Sequence, residues 1–187
     1  MTDREIIDFL HIAEALKDQT RHCCTSHRRE ESVAEHSWRL ALMAMLLEEE
    51  IEDVDFSKVI RMAILHDLGE AITGDIPSFW KTKADADHEE NVIFQLVDTL
   101  PEPQRSRFRQ LFAEMNELET REAKICKALD KLEAVLQHNE SPLDTWLPLE
   151  RKMNQTYGET EAACEPRLAQ LRQQAKLDTL AKLEKGE

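Results

Sequence analysis

The sequence predicts an all-α fold, and three observations carry the prediction. The 187 residues contain 4 glycines and 6 prolines, so long stretches run without a backbone breaker. Within those stretches apolar residues recur at three- and four-residue spacing, the period of a helix with one buried face. Helix-start signals stand where such stretches begin, as at Ser32 followed by Glu35, a capping box, and at Asp55 before Phe56.

In chain order, helices are expected over roughly 2–17, 32–50, 56–68, 86–99, 104–117, 119–138, 143–156 and 159–184. In the second of these, Val33, His36, Leu40, Met43 and Leu47 form the inward stripe. In the third, Phe56, Val59, Ile60, Ala63 and Ile64 do so, and His66 and Asp67 continue the same face. The helix at 119–138 has one stripe of Ile125, Leu129, Leu132 and Leu136 and a second of Ala123, Cys126, Asp130 and Ala134. The last helix carries Leu168, Leu171, Ala175, Leu177, Leu180 and Leu183, a stripe that drifts around it and can pack locally or join two chains. Two segments read as irregular, Arg21–Glu31, which is polar, and Gly69–Ser78, which holds two glycines and a proline. Both are placed to line a site.

The length suits one domain over 1–187, with no repeat, low-complexity tract or linker to divide it. With 24 Lys+Arg against 38 Asp+Glu, the net charge of −14 disfavours a nucleic-acid polymer or an anionic membrane surface as partner. A phosphate handled by this chain should be small and met by a local cationic pocket. Cys23, Cys24, Cys126 and Cys164 have neither C-x-x-C spacing nor a regular pattern, which fits a reducing compartment. Residues 1–10 mix acidic with apolar side chains, and the longest apolar run is Leu40–Leu47, so a cytoplasmic protein without a membrane span is expected.

His36, His66, Asp67 and Asp130 are polar residues on inward faces of three helices. Each has an ordinary reading: a core histidine with a satisfied hydrogen bond, an aspartate paired with an arginine, or an ion pair of Asp130 with Lys127 or Lys131. Together they are neutralised most economically by one divalent cation. Two imidazoles and two carboxylates suit Mn, Fe, Co, Ni or Zn with open positions for water and substrate, and the set lacks the thiolates of a structural site.

The stretches E-S-V-A-E-H-S-W (31–38), R-M-A-I-L-H-D-L-G-E-A-I-T-G-D-I-P (61–77) and K-A-L-D-K-L-E-A (127–134) have the order H…HD…D. His66 follows His36 by 30 residues and Asp130 follows Asp67 by 63. Over about residues 10–138 this resembles the HD-domain metal-dependent phosphohydrolases, and within them the 5′-deoxynucleotidase branch with its element H-D-x-x-E-x-x-x-x-D-I. The resemblance implies a compact helical bundle with His36, His66, Asp67 and Asp130 as ligands of one divalent transition metal ion. It implies Glu70 as the residue that positions or deprotonates the attacking water, and Asp75 as a contact to the sugar or leaving oxygen. It further implies removal of the 5′-phosphate of (deoxy)ribonucleoside monophosphates by a metal-activated water, and a homodimer. Helices 143–184 would pack on the domain or form the dimer contact.

Arg21 is the cation best placed to offset the phosphate dianion. In the branch resembled, the corresponding arginine is followed by a tryptophan that contacts the sugar. Here His22, Cys23 and Cys24 follow, and the first tryptophan is Trp38, two positions after His36 and read as a packing or oligomer contact. Arg28, Arg29 and Lys81 could supply further charge to the phosphate but are expected at the solvated surface, as is His88, which in other branches would extend the site to a second metal. Two further readings stay open: hydrolysis of another small phosphate ester or a nucleoside triphosphate, and a sensor that binds a nucleotide without turnover.

Overall fold

The computed structural model describes residues 1–186. Its helices are α1 (Asp3–Ala13), α2 (Val33–Leu47), α3 (Phe56–Leu65), α4 (Glu70–Thr73), α5 (Lys83–Asp98), α6 (Gln104–Glu117), α7 (Arg121–Glu140), α8 (Glu150–Met153), α9 (Glu159–Ala162) and α10 (Pro166–Lys185). No helix among the described residues is long and apolar enough to cross a membrane.

The expected caps form. Ser32 Oγ accepts from the Glu35 backbone N–H at 3.2 Å, and the Glu35 carboxylate accepts from the Ser32 N–H at 2.9 Å. Asp55 caps α3 by accepting from the Lys58 N–H at 3.0 Å, and Thr120 caps α7 in the same way through the Ala123 N–H. Each satisfies a donor the first turn cannot pair internally.

Helix α7 is the axis of the molecule, packed against α2, α3, α6, α9 and α10. Leu40, Ala44, Val59, Met62, Leu129, Leu132 and Leu168 interdigitate there, all essentially buried. Burying each large aliphatic side chain is worth about 1.5–3 kcal/mol, so this contact fixes α2, α3 and α7 relative to one another. A second apolar cluster of Leu16, Val33, Leu68, Ile93, Val97 and Phe112 ties α5 and α6 to the first turn of α2.

The structure corrects the sequence reading in three places. Part of the segment read as irregular is a hairpin, β1 (Thr20–Cys24) against β2 (Glu30–Ser32), antiparallel with Thr20 opposite Ser32 and Cys24 opposite Glu30. Its strands are short and polar, so no apolar alternation announces them; Gln137 of α7 donates to the Cys24 carbonyl at 2.7 Å and anchors the hairpin. The helix expected over 143–156 is a 3₁₀ turn (Leu143–Thr145), an extended passage through Trp146 and the short α8. Pro148 holds the residue before it out of the α region, and buried Trp146 donates its indole N–H to Ser141. The helix expected over 159–184 breaks before Pro166, which opens α10 at the first-turn position that tolerates a missing N–H. Helix α3 also ends at Leu65, so His66 and Asp67 stand in a turn, and Gly74 at φ +75° ends α4 and redirects the chain toward Asp75.

Candidate active site

Helix α2 and the turn after α3 bring His36, His66 and Asp67 within reach of one ion, and α7 sets Asp130 beside them. His36 projects from the first turn of α2, His66 and Asp67 from the turn after α3, and Asp130 from the middle of α7. His36 Nε2 lies 3.2 Å from both His66 Nε2 and Asp130 Oδ1, and 3.8 Å from Asp67 Oδ2. His66 Nε2 lies 2.9 Å from Asp67 Oδ2 and 3.8 Å from Asp130 Oδ1.

The opposite edge of each imidazole is already committed. His66 Nδ1–H donates to the Ala63 carbonyl at 2.9 Å, and His36 Nδ1–H donates to Glu133 Oε2. With Nδ1 protonated on both rings, two Nε2 lone pairs and two carboxylates face one another. Such an arrangement is repulsive until a cation or protons enter it. Ligand atoms of His36, His66 and Asp67 all lie within 4.8 Å of one another, close enough for one ion to bind all three, with Asp130 Oδ1 at 3.2 Å from His36 Nε2. The donor chemistry of imidazoles and carboxylates suits Mn, Fe, Co, Ni or Zn.

The electrostatics agree. Burial works against ionisation of Asp67 and Asp130, yet His66 and His36 hold Asp67, and Lys127 and the two histidines hold Asp130, below the usual carboxylate range. His36 is pressed down by burial and by Arg21, but the Glu133 charge and the hydrogen bonds to Asp130 and Glu133 prevail and push it up to about 9. Imidazole and carboxylate ligands bind a metal only when deprotonated, so occupancy of such a set falls as pH falls.

Glu133 is the residue the sequence reading missed. It is fully buried on α7, one turn after Asp130, and also takes Arg39 Nε–H at 2.7 Å and faces Arg21 Nη1 at 3.3 Å. Its signal was its spacing: Asp130, Glu133 and Gln137 share a face, which the mixed Lys/Glu composition of that helix disguised.

Beside the four donors opens a cavity of about 180 Å³. Asp67, Glu70, Asp75 and Asp130 line it together with Arg21. Glu70 is 6% exposed, and its Oε2 is buried without a partner. Burial, then the charges of Asp67, Asp75 and Glu89, push its carboxyl up to about 10; burial raises Asp75 as well. Arg21 sits between Glu133 and Glu31, at 3.3 and 3.5 Å.

The remaining wall comes from residues expected elsewhere. Lys81, read as surface, lines the cavity and pairs with Glu89, whereas Arg28 and Arg29 stay exposed on Asp144 and Glu35, and His88 is exposed. Phe79, Asn154, Tyr157 and His22 complete the lining. Glu150, 1% exposed, gathers His22 at 3.3 Å, His138 at 3.1 Å and the Leu147 N–H at 2.6 Å. Arg172, 2% exposed, donates to the Tyr157 and Asn154 carbonyls at 2.7 and 2.9 Å and so fixes the chain behind this wall.

Comparison with known proteins agrees with this geometry. Residues 13–172 match the family described as HD domain. The 5′-deoxynucleotidase HDDC2 of Homo sapiens is 33% identical over 141 residues, covering 73% of this chain and 68% of that protein. The protein of the same name from Dictyostelium discoideum is also 33% identical over 141 residues, covering 70% of this chain and 74% of that one. Among solved structures, a predicted metal-dependent phosphohydrolase from Magnetospirillum magnetotacticum superposes with a TM-score of 0.80 at 26% identity, covering 96% of this chain and 95% of that one.

Proposed function

The chain belongs to the HD domain family, and from that premise we propose that it is a metal-dependent 5′-nucleotidase acting on nucleoside monophosphates, deoxyribonucleotides first among them. The observation that carries this reading is the convergence of His36 Nε2, His66 Nε2, Asp67 and Asp130 beside a cavity lined by Arg21, Glu70 and Asp75. The relatives named above as 5′-deoxynucleotidases support the substrate class.

In this reading His36, His66, Asp67 and Asp130 hold one divalent ion. When bound there, such an ion polarises a phosphoryl oxygen and makes water a better nucleophile near neutral pH. The chain's own residues supply the rest. Arg21 offsets the phosphate charge. Glu70, its Oε2 otherwise unpartnered, positions the attacking water and takes its proton when ionised, the form that a cation beside Asp67 would favour. As the bond from the attacking water oxygen to phosphorus forms and the bond from phosphorus to the 5′ oxygen breaks, Asp75, in the cavity lining, gives its own proton to the leaving oxygen. Phe79 and Tyr157 offer aromatic surface to a base, and His22 a polar contact to the sugar.

The test is phosphate release from deoxy- and ribonucleoside mono- and triphosphates, using chelated protein with Mn, Co, Ni, Zn or Mg restored singly. Metal-dependent release confined to monophosphates is expected. Release from triphosphates, or none from any nucleotide, overturns the reading, and the deoxy-to-ribo ratio reports on His22.

We also assign the protein to the cytoplasm, on the support of four cysteines with no disulfide among them. A homodimer is supported by α2, whose outer face exposes Trp38, Leu42, Met45 and Leu46, between 38 and 69% exposed. Light scattering at micromolar concentration is expected to return twice the chain mass for the wild type and a lower mass for Leu46→Glu.

A further inference from the structure

Among the described residues, the lysine and arginine side chains lining the cavity are Arg21, Lys81 and Lys127. They are committed to different degrees. Arg21 lies between two buried carboxylates, Glu31 and Glu133, neither of which can follow it toward a ligand. Lys81 pairs with Glu89. Lys127 is one turn before Asp130 on α7, its Nζ donates to Asp130 Oδ2 at 2.7 Å, and its side chain is 46% exposed against 16% for Arg21 and 28% for Lys81.

The two oxygens of Asp130 thus face different ways. Oδ1 looks toward His36 Nε2, while Oδ2 holds the half-exposed Lys127, which also lines the cavity. A divalent ion taking Asp130 neutralises the charge that draws the ammonium, and a lysine on a flexible stem has two further N–H donors for another acceptor. An arriving phosphate dianion meets the ionised Asp67 and Asp130, with Glu70 and Asp75 also in the lining, so a second mobile cation helps balance the charge of the cavity.

We propose that Lys127 is a substrate-binding residue that hands its ammonium from Asp130 to a phosphoryl oxygen, alongside Arg21. The proposal rests on the phosphohydrolase reading above. It is tested with the full chain, wild type beside Lys127→Met and Lys127→Arg. Inorganic phosphate serves as the probe in calorimetry of metal-loaded protein, and metal content and metal affinity are measured separately.

Lys127→Met is expected to keep its metal within about twofold and to lose about tenfold or more in phosphate affinity, the size of one charge-assisted hydrogen bond. Lys127→Arg should recover most of that loss. A fall in metal affinity with phosphate binding intact overturns the proposal, because Lys127 then serves only Asp130. No change in either overturns it as well, leaving a surface ion pair. Should Lys127→Met fail to fold, judged by circular dichroism, Lys127→Gln takes its place under the same criteria. Wild-type protein that binds phosphate no better with metal than without overturns the phosphohydrolase reading itself, a result distinct from a wild type that binds while the variants bind equally well.

Discussion

Arg21 and Glu133 stand 3.3 Å apart, and the oxygen that Arg21 faces, Oε2, is the one that accepts the Nδ1–H of His36. One buried carboxylate therefore orients a candidate metal ligand and the candidate phosphate cation at once. Burial alone would raise its pKa, but His36, Arg21 and Arg39 together hold it below the usual range, so it stays ionised.

Glu133→Gln tests that arrangement. The amide keeps the shape and loses the charge, and outer hydrogen-bond partners of metal ligands are typically worth about 10- to 100-fold in metal affinity. A loss of that size by metal titration, with phosphate affinity falling in parallel, is expected. Glu133→Ala should cost more, about 3–5 kcal/mol of stability by chemical denaturation, because Arg21 and Arg39 lose a buried partner.

Glu70→Gln separates chemistry from binding. The variant should retain full metal stoichiometry by elemental analysis while kcat drops by about 10²–10⁴, the usual contribution of a positioned general base. Loss of metal with loss of turnover would instead make Glu70 a ligand.

Glu35 sets an acid limit on the start of α2. Its hydrogen bond to Arg29 and the Ser32 cap lower its pKa from 4.5 to about 2. A depressed carboxylate stabilises the folded state fully above the unfolded value and loses that contribution as pH falls through the folded one. The advantage of wild type over Glu35→Gln in urea midpoint should be constant above about pH 5 and vanish between pH 4.5 and 2. A constant difference down to pH 2 would count against it.

Gly158→Ala is expected to destabilise by more than about 1 kcal/mol in thermal or urea unfolding. The position has φ +76°, and an added Cβ would come 2.9 Å from Lys131 Cβ. An unchanged melting temperature would mean that α9 moves aside at no cost.

Much of the fold was legible because apolar period and caps agree, as at Ser32–Glu35 and in the stripe from Val33 to Leu47. The candidate ligands were legible for the opposite reason: His36, His66, Asp67 and Asp130 contradict the faces they occupy. What escaped were features with no local signature. The hairpin is built of Thr20–Cys24 and Glu30–Ser32, too short and polar to show alternation. Glu133 resembles any helical glutamate until its burial is seen. The 143–165 region has apolar residues at helical intervals, yet Trp146, Glu150 and Asn154 spend their hydrogen bonds on loop and neighbouring-helix partners instead.

The cavity's lining is drawn from both halves of the chain. Every group assigned to the chemistry lies at or before Glu133, whereas Glu150, Met153, Asn154 and Tyr157 join the lining from beyond α7, alongside His22 and Phe79. A substitution in the later stretch reshapes part of what fits without replacing a group that would react. A shifted preference for base or sugar is therefore reachable in part through a short span of sequence that carries none of the groups assigned to turnover.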